Sequence, residues 1–467
     1  MFEKQNIHFV GIGGIGMSAI AEVLHRKGFT VSGSDLKENS ITARLRKKGI
    51  KIFKKHSSNN IKKVGIIVHS SAIKKSNIEI KTAKKKKIPI YTRAMMLSEV
   101  MRLKPSITIA GSHGKTTTTS LIASILEFAG FDPTIINGGI INDINTNAKL
   151  GSGEWIVAEA DESDGSFTML PSTIGVINNI DLEHLDYYRN IEEIKTSFVE
   201  YSKNIPFYGF LSINIDDSNV RSILKKIEKK KIFTYGFSKN ANFSASKVRI
   251  IKRKNNFFSC FNIIENLKNK RTIKNVLIPL LGDHNIINAL SAYSIARGLK
   301  VPDSKILNSL KNFKGVKRRF SIIYNNYGNL VIDDYAHHPE EIKTTLNALK
   351  SVTKKKLITI FEPHRYSRVR GMKQDFLKCF NVADMIFILP IYTAGEKIDN
   401  KISNVSLSKS LNKKYKNKII QPATDNIKFF KDLYKIISSG DNIIFLGAGN
   451  SSKIANAFSE FLRNHEI

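Results

Sequence analysis

Residues 107–119 of this 467-residue chain read ITIAGSHGKTTTT, and this stretch decides the class of fold. The apolar run Ile107–Ala110 predicts a buried strand, and the pattern that follows the glycines predicts a helix that stops at Gly130. A glycine loop between a strand and a helix presents backbone N–H groups to a phosphate. The stretch therefore predicts a nucleoside triphosphate site on a parallel α/β sheet.

The loop in this stretch supplies the candidate nucleotide contacts. A lysine at its end suits the terminal phosphates, and the hydroxyl that follows suits Mg²⁺. The usual phosphate loop has a longer run between its glycines, and an ordinary glycine turn that caps a helix is the alternative interpretation. The predicted nucleotide-binding residues of the loop are Gly111, Ser112, His113, Gly114, Lys115, Thr116 and Thr117.

Carboxylates and a histidine follow later strands of the same block. The segment 155–164 reads WIVAEADESD, and 178–184 reads NNIDLEH. Ligands gather at the carboxyl ends of strands in such sheets, and oxygen ligands suit Mg²⁺. We predict Thr116, Glu159 and His184 as Mg²⁺ ligands, although an acid after a strand is also a common helix cap and a lone histidine a common loop residue.

A second glycine-rich loop lies near the start of the chain. After the apolar run Ile7–Val10, residues 11–16 read GIGGIG, and Asp35 follows the next apolar run. This pattern is typical of a dinucleotide site, in which the backbone approaches a pyrophosphate and the acid reaches a ribose. NAD and a UDP-sugar both carry a pyrophosphate and a sugar, so the pattern fits either ligand. A turn without a ligand is the third interpretation.

Composition limits the class of protein. The length suits about three domains, and two cysteines, Cys260 and Cys379, exclude a disulfide framework and favour a reducing compartment. A net charge of +34 raises the possibility of a polyanion partner, but the excess is scattered lysine, which favours a solvated surface. No apolar signal region precedes Ile7 and no run suits a membrane span, so we expect a cytoplasmic protein without membrane insertion.

Strands that alternate with helical patterns predict an α/β fold in three blocks, with boundaries at Pro105 and at 314–320. The segment Thr234–Pro279 is polar and rich in Phe and Asn, and predicts a small meander in the middle block. Three buried strands are expected in the last block, each followed by a polar loop: Leu357–Phe361, Asp384–Leu389 and Asn442–Leu446.

Motifs along almost the whole chain resemble those of the Mur ligase family, whose own short phosphate loop matches Gly111–Thr119. The other matching stretches are 11–18, 154–167, 179–186, 284–289, 317–320, 333–339, 361–368 and 392–396. The resemblance implies a Rossmann-like UDP-sugar domain over 1–105, a central ATP-binding domain over 106–314 and a Rossmann-like ligase domain over 315–467.

The resemblance also implies a reaction. In it, ATP activates the carboxylate of UDP-N-acetylmuramate as an acyl phosphate, and L-alanine displaces the phosphate, in peptidoglycan precursor synthesis. ATP and Mg²⁺ are the expected cofactors. UDP-N-acetylmuramate and L-alanine are the expected partners, with no nucleic acid, and the expected assembly is a monomer or a homodimer.

Site residues carried over from the family fall into three groups. The catalytic set is Lys115, Glu159, His184, Arg319, His337 and His338. Additional nucleotide contacts are Asn285, Asn288, Arg319 and Asp334, with Asp283 departing from the family's frequent basic residue. The substrate contacts are Gly11, Gly13, Gly14, Gly16, Met17, Ser18, Asp35, Ser70, Ser71, His364, Arg365 and Arg368.

Two rival classes explain parts of the same sequence. An ATP-driven nucleic-acid-binding protein would account for the charge and the phosphate loop, but has no use for the histidine and arginine loops within 337–368. An NAD-dependent dehydrogenase would account only for the first glycine loop.

Overall fold

The computed structural model describes residues 6–70, 72–102, 104–184, 187–227, 230–253 and 256–465. Its strands form three sheets, one in each block that the sequence predicts, so the three-part α/β architecture is confirmed. Within the described ranges, no helix combines the length and the apolar character that a membrane crossing requires.

The first sheet is fully parallel, with strand order β3-β2-β1-β4-β5. This order is that of a doubly wound Rossmann-like half, and the predicted strand at Ile7–Val10 is its central strand. The elements of this block are β1 (Asn6–Val10), α1 (Ile15–Arg26), β2 (Thr30–Ser34), α2 (Ser40–Lys47), β3 (Lys51–Phe53), β4 (Ile66–His69), α3 (Ile78–Lys85), β5 (Ile90–Thr92) and α4 (Arg93–Met101).

The strands and α-helices of the second block are those of its described residues. The strands are β6 (Ser106–Ala110), β7 (Thr134–Ile141), β8 (Thr146–Lys149), β9 (Ile156–Glu159), β10 (Ile174–Ile177), β11 (Phe210–Asn214), β12 (Ile232–Gly236), β13 (Phe243–Arg253), β14 (Asn256–Glu265) and β15 (Arg271–Ile278). The helices are α5 (Lys115–Ala129), α6 (Ile191–Lys203), α7 (Ser218–Ile223), α8 (Asp283–Gly298) and α9 (Asp303–Asn312).

The order of the second sheet is β15-β14-β13-β12-β11-β10-β6-β9-β7-β8. Strand β6 pairs in parallel with β9 and β10, so the loops that follow these three strands leave the sheet at one edge. The predicted helix after the phosphate loop is α5, and it ends at Gly130, which has a φ of 89°. Strands β13, β14 and β15 are successive neighbours, as expected for a meander.

The third block supplies the remaining elements. These are β16 (Ser321–Asn326), β17 (Asn329–Asp334), α10 (Pro339–Lys350), β18 (Leu357–Phe361), α11 (Tyr366–Gly371), α12 (Lys373–Phe376), β19 (Met385–Ile388), α13 (Asn404–Lys414), β20 (Ile419–Pro422), α14 (Ile427–Ile436), β21 (Asn442–Leu446) and α15 (Ser451–Asn464). The three predicted strands of this block are β18, β19 and β21. The sheet order is β16-β17-β21-β18-β19-β20, parallel except for the β16–β17 pair.

By packing, the described residues divide into two compact units. The first unit consists of those within 1–249, 260–278 and 287–314, and the second of those within 250–259, 279–286 and 315–467. Phe9, Phe198 and Tyr201 are fully buried in the first unit, and Phe361 and Phe380 in the second. Cys260 and Cys379 are free and buried, one in each unit.

Candidate active site

The phosphate loop between β6 and α5 is held by hydrogen bonds to the loop that follows β10. The Ser112 N–H donates to Asn179 O at 3.2 Å, and the His113 N–H donates to Asn179 Oδ1 at 2.7 Å. Gly114 has a φ of 80°, and a Cβ there would lie 2.6 Å from Asn288 Oδ1. Both the conformation and the space therefore require glycine at the last position before the helix.

Lys115 extends across this loop to a buried carboxylate. Its Nζ donates to Gly111 O at 2.5 Å and Ser112 O at 3.1 Å, and lies 2.9 Å from Glu162 Oε2. Burial opposes the charge of Lys115, but Glu162 and Asp161 outweigh it and raise the pKa of the ammonium. Lys115 is thus held as a cation beside the loop amides, where a phosphate would be bound.

His184 and two carboxylates form a candidate metal site in the first unit. Ligand atoms of Glu162, Glu183 and His184 all lie within 4.8 Å of one another. Burial opposes ionisation of Glu162, but Lys115 and His184 lower the pKa of its carboxyl group. The hydrogen bond from His184 to Glu162 raises the pKa of the imidazole against the effect of burial. The carboxylate oxygens of Glu162 and Glu183 fit the oxygen-rich donor set that Mg²⁺ prefers.

The other predicted Mg²⁺ ligands have different surroundings. Glu159 Oε1 accepts a hydrogen bond from the Gly138 N–H at 2.8 Å, and Glu159 is not one of the three residues of the Glu162 cluster. Thr116 and Thr117 are buried in the first turn of α5, and Thr116 O accepts a bond from Ser120 Oγ at 2.7 Å. Metal ligation by Glu159 and Thr116 stays a prediction.

The two predicted adenine-side asparagines both lie on α8 and both make side-chain contacts. Asn288, in the first unit, accepts a hydrogen bond from Thr118 Oγ1 at 3.1 Å. Asn285, in the second unit, donates from Nδ2 to Leu281 O at 2.8 Å. These contacts fix the orientation of each amide, and their role toward a nucleotide stays a prediction.

The first glycine-rich loop follows β1 and is held by the end of β2. The Gly11 N–H donates to Ser34 O at 2.8 Å, and the Gly13 N–H donates to Asp35 Oδ2 at 2.8 Å. A Cβ on Gly13 would lie 2.7 Å from Asp35 Oδ2, so this glycine is needed for the close approach. The structure therefore joins the predicted loop to the predicted acid.

The remaining predicted contacts of this loop are distributed around it. Gly14 precedes α1, and Gly16, Met17 and Ser18 lie within it; Met17 and Ser18 are buried. Ser18 Oγ donates to Ile15 O at 2.8 Å, and the Ser18 hydroxyl group therefore makes a hydrogen bond within α1. The Ser70 N–H donates to Val10 O at 3.2 Å, which places Ser70 beside the loop. Ser71 lies outside the described residues.

Arg93 is a cation near this loop that the sequence analysis missed. Its Nη2 donates to Asp161 Oδ2 at 2.8 Å, and a Cβ on Gly16 would lie 3.2 Å from its guanidinium. Burial acts against ionisation of Asp161, but Arg93 and Lys115 lower the pKa of that carboxyl to about 2. Arg93 thus connects the first glycine loop to the acidic segment that follows β9.

In the second unit, Arg319 and Asp334 lie near the carboxyl end of β17. Asp334 accepts hydrogen bonds from the Phe320 N–H at 2.6 Å and the Ala336 N–H at 2.8 Å. Burial raises the pKa of Asp334 to about 6, and the Arg319 charge only partly counteracts it. The Arg319 guanidinium lies 5.1 Å from the centre of the Tyr335 ring.

Histidines and arginines cluster on the loops that follow β17 and β18. The rings of His337 and His364 lie 5.4 Å apart, His364 stacks on Tyr392 at 5.5 Å, and Arg368 Nη1 lies 3.2 Å from His364 Nδ1. Burial lowers the pKa of His337 to about 4, and burial with the neighbouring His337 and arginines lowers that of His364 to about 3. Both imidazoles are therefore neutral near pH 7.

Two other predicted residues belong to the same loops. His338 is buried at the start of α10, where it is the N-terminal capping residue. Arg365 has a φ of 68°, and its N–H donates to Tyr392 O at 2.8 Å. The left-handed backbone conformation costs an arginine free energy and commonly marks a functional loop. The structure thus brings together His337, His364, Arg365 and Arg368, and adds Tyr392.

The three sheets and the phosphate loop between β6 and α5 together define an α/β protein of the phosphate-loop type. In chain order, one Rossmann-like domain precedes the nucleotide domain and another follows it. Three family models match it: the Mur ligase family, catalytic domain, over residues 6–105, the Mur ligase middle domain over 109–296, and the Mur ligase, glutamate ligase domain, over 318–449. The chain belongs to the Mur ligase family.

Similar proteins include enzymes of known name. The UDP-N-acetylmuramate–L-alanine ligase of Rickettsia felis is 48% identical over 97% of this chain and 97% of its own. That of Rickettsia prowazekii is 47% identical over 99% of this chain and 94% of its own. The crystal structure of the UDP-N-acetylmuramate–alanine ligase of Thermotoga maritima is 28% identical and superimposes with a TM-score of 0.81, over 99% of this chain and 100% of its own.

Proposed function

We propose that the chain catalyses the ATP-dependent joining of L-alanine to the carboxylate of UDP-N-acetylmuramate, a step of peptidoglycan precursor synthesis. The observation that carries this proposal is the 48% identity to a UDP-N-acetylmuramate–L-alanine ligase over 97% of both chains. We further propose that the enzyme acts in the cytoplasm, as a monomer or a homodimer.

Each domain has a proposed task. The domain over 1–105 binds the UDP-sugar at the loop that follows β1, with Asp35 fixing the loop. The domain over 106–314 binds ATP on the loop of Lys115. The domain over 315–467 supplies Arg319 and the cluster around His364, which face anionic and amine groups of the substrates.

The reaction has two steps. A carboxylate oxygen of the sugar acid attacks the γ-phosphorus, the bond from phosphorus to the bridging oxygen breaks, and ADP leaves. The amine of L-alanine then attacks the acyl carbon and loses a proton, the C–O bond breaks, and phosphate leaves. Lys115, Arg319 and the loop amides neutralise the negative charge, because two anions must approach each other in the first step.

Mg²⁺ would be held by Glu162, Glu183 and His184, together with the predicted ligands Glu159 and Thr116. When bound, it would supply Lewis-acid neutralisation of the phosphate oxygens. The chain's own contribution is to keep the Glu162 carboxyl group ionised: the cation of Lys115 lowers the pKa of Glu162 against the effect of burial. The same pair holds Lys115 in place beside the loop.

ADP release by the purified chain tests the proposal directly. With ATP and Mg²⁺, ADP release should require both UDP-N-acetylmuramate and an amino acid, with L-alanine ahead of glycine and L-serine in the panel. Carboxylate labelled with ¹⁸O should transfer one labelled oxygen to the released phosphate. Release of ADP without either substrate, or phosphate without label, would contradict the reaction.

Thermal stabilisation separates the rival classes. A ligand that binds only the folded state raises the unfolding temperature, and the stabilisation grows with the logarithm of the ligand concentration relative to its dissociation constant. UDP-N-acetylmuramate should raise the unfolding temperature at moderate salt, whereas NADH and single-stranded DNA should not. Stabilisation by NADH alone would favour a dehydrogenase, and stabilisation by DNA alone a nucleic-acid-binding ATPase.

A further inference from the structure

Glu362 is a buried carboxylate that the proposed reaction leaves without a task. It follows β18 directly and is only 4% exposed. Its Oε1 accepts a hydrogen bond from the Asn450 N–H at 3.0 Å, and its Oε2 accepts one from the Ser451 N–H at 3.0 Å. These two N–H groups lie at the start of α15, where a helix attracts an anion.

The glycine loop 447–450 is built closely around this carboxylate. A Cβ on Gly449 would lie 2.6 Å from Glu362 Oε2, and a Cβ on Gly447 would lie 3.0 Å from Glu362 Cβ. In many Rossmann-like domains a loop of this kind binds a phosphate. Here the protein's own carboxylate fills that position, so the loop serves to bind Glu362 rather than a nucleotide.

Three substrate-facing loops of the second unit meet at this point. Arg318 Nη2 donates to Gly447 O at 2.6 Å, which ties the segment of Arg319 to the glycine loop. A Cβ on Gly449 would lie 2.5 Å from the Tyr392 ring, so that ring rests directly on the loop. Tyr392 in turn donates its N–H to Pro363 O at 2.8 Å, next to His364.

We propose that Glu362 is the positioning residue of the amino-acid subsite: by accepting the Asn450 and Ser451 N–H groups, it holds the glycine loop against Tyr392 and so fixes the Tyr392–His364 stack. This inference rests on the proposed function. Glu362 touches no substrate. It acts through the loop, and this role requires two acceptor oxygens at full side-chain length, one for each N–H group.

Three substitutions at Glu362 separate length from charge. Alanine removes both acceptor oxygens, and aspartate keeps the charge but is one methylene too short. Glutamine keeps the length and one acceptor oxygen, but its NH2 group would face the second backbone N–H. We expect Glu362→Ala and Glu362→Asp to raise the KM for L-alanine about tenfold or more, and Glu362→Gln to raise it by less, about threefold, because one of the two hydrogen bonds is kept. The KM for ATP should change less than threefold in all three.

A substitution in the glycine loop tests the same contact between this loop and Glu362. Gly449→Ala places a methyl group against both Tyr392 and Glu362, and should raise the KM for L-alanine as Glu362→Ala does. The matched control is Glu460→Ala, which removes an exposed carboxylate from α15 and should leave every KM unchanged. If Glu362→Ala does not fold, the comparison of Asp, Gln and Gly449→Ala variants decides the question.

The outcomes distinguish the two proposals. A wild type that releases no ADP with L-alanine contradicts the proposed function. An active wild type overturns the positioning role in either of two cases: if Glu362→Gln is as impaired as Glu362→Asp, or if the variants lose kcat and thermal stability while the KM for L-alanine stays constant. Partial rescue by glutamine, with a change in the KM for L-alanine and in no other KM, supports the role.

Discussion

The Lys115 centre of the first unit and the His337–His364 centre of the second are both half-buried and both built from basic side chains, yet Lys115 is a cation whereas the two imidazoles are neutral. Burial favours the neutral form at each. Glu162 and Asp161 outweigh it at Lys115, whereas the arginines around His364 reinforce it. The sign of the neighbouring charge, rather than burial, decides whether a basic group remains a cation.

The chemical consequence is a division of tasks. A fixed cation beside loop amides suits the phosphates of ATP. Neutral imidazoles among guanidiniums suit a substrate that carries both a carboxylate and an amine, because they add hydrogen-bonding atoms without additional positive charge.

Removal of the Lys115 cation should have the largest effect on activity. Lys115→Ala should lower the rate of ADP release about 10³-fold, since charge on the transferred phosphate is then poorly neutralised. The measurement is coupled ADP release at saturating substrates. The control is Lys149→Ala, which removes another lysine paired with carboxylates, Glu127 and Asp132. If Lys115→Ala turns over as fast as Lys149→Ala, the assignment fails.

Removing the carboxylate that holds the cation should have the next largest effect. Glu162→Gln should lower turnover on the order of 10²-fold and raise the Mg²⁺ concentration for half-maximal rate at least about tenfold. Titration of Mg²⁺ against the rate measures both. The variant Glu159→Gln is measured in the same way. If both variants need equally more Mg²⁺ for half-maximal rate, both acids are metal ligands. If only Glu159→Gln needs more Mg²⁺, Glu162 is not a metal ligand.

A smaller effect is expected in the neutral centre. His364→Asn removes the ring that stacks on Tyr392 and contacts Arg368, and should raise the KM for L-alanine about tenfold with little change in the KM for ATP. Initial rates against each substrate measure this. His465→Asn is the control, because His465 is exposed and stacks on Phe461 at 4.0 Å. A rise confined to the KM for ATP would place His364 at the nucleotide instead.

The smallest effect concerns stability rather than rate. The pKa of His337 is about 4 in the folded protein, against about 6.5 when unfolded, so below pH 6.5 the unfolded state takes up a proton that the folded state refuses. The free energy of unfolding should fall by about 1 kcal/mol per such imidazole between pH 6.5 and 5.5. Denaturant titrations at several pH values should show that the free energy of unfolding falls less steeply with decreasing pH in His337→Asn than in the wild type. Equal pH dependence in the two proteins would contradict a neutral His337.

The sequence predicted the strands that are buried on both faces. Leu357–Phe361 and Asn442–Leu446 coincide with β18 and β21, because parallel strands covered on both sides are continuous apolar runs. The β7–β8 hairpin was not predicted. In β7 the run Asn137–Gly138–Gly139 separates two pairs of isoleucines, and β8 contains Asn147, so neither strand has the continuous apolar run that marks the others.

The site was predictable where one motif contains all its parts, and not where distant segments meet. The phosphate loop with Lys115 is such a motif. Glu159 ends β9 and Glu162 follows three residues later, and only the folded structure, in which Glu162 Oε2 lies 2.9 Å from Lys115 Nζ, reveals which one meets Lys115. The partners of Glu362 lie 88 and 89 residues further along the chain, so no local pattern marks it.

The two cysteines of the chain give this protein a practical advantage for spectroscopy. Both thiols are buried, and burial raises the pKa of Cys379 far above its usual value, which leaves little reactive thiolate. A pair of cysteines introduced at exposed positions, one in each unit, would therefore accept maleimide dyes without prior removal of the native residues. Single-molecule energy transfer between such dyes would follow the distance between the units through a catalytic cycle.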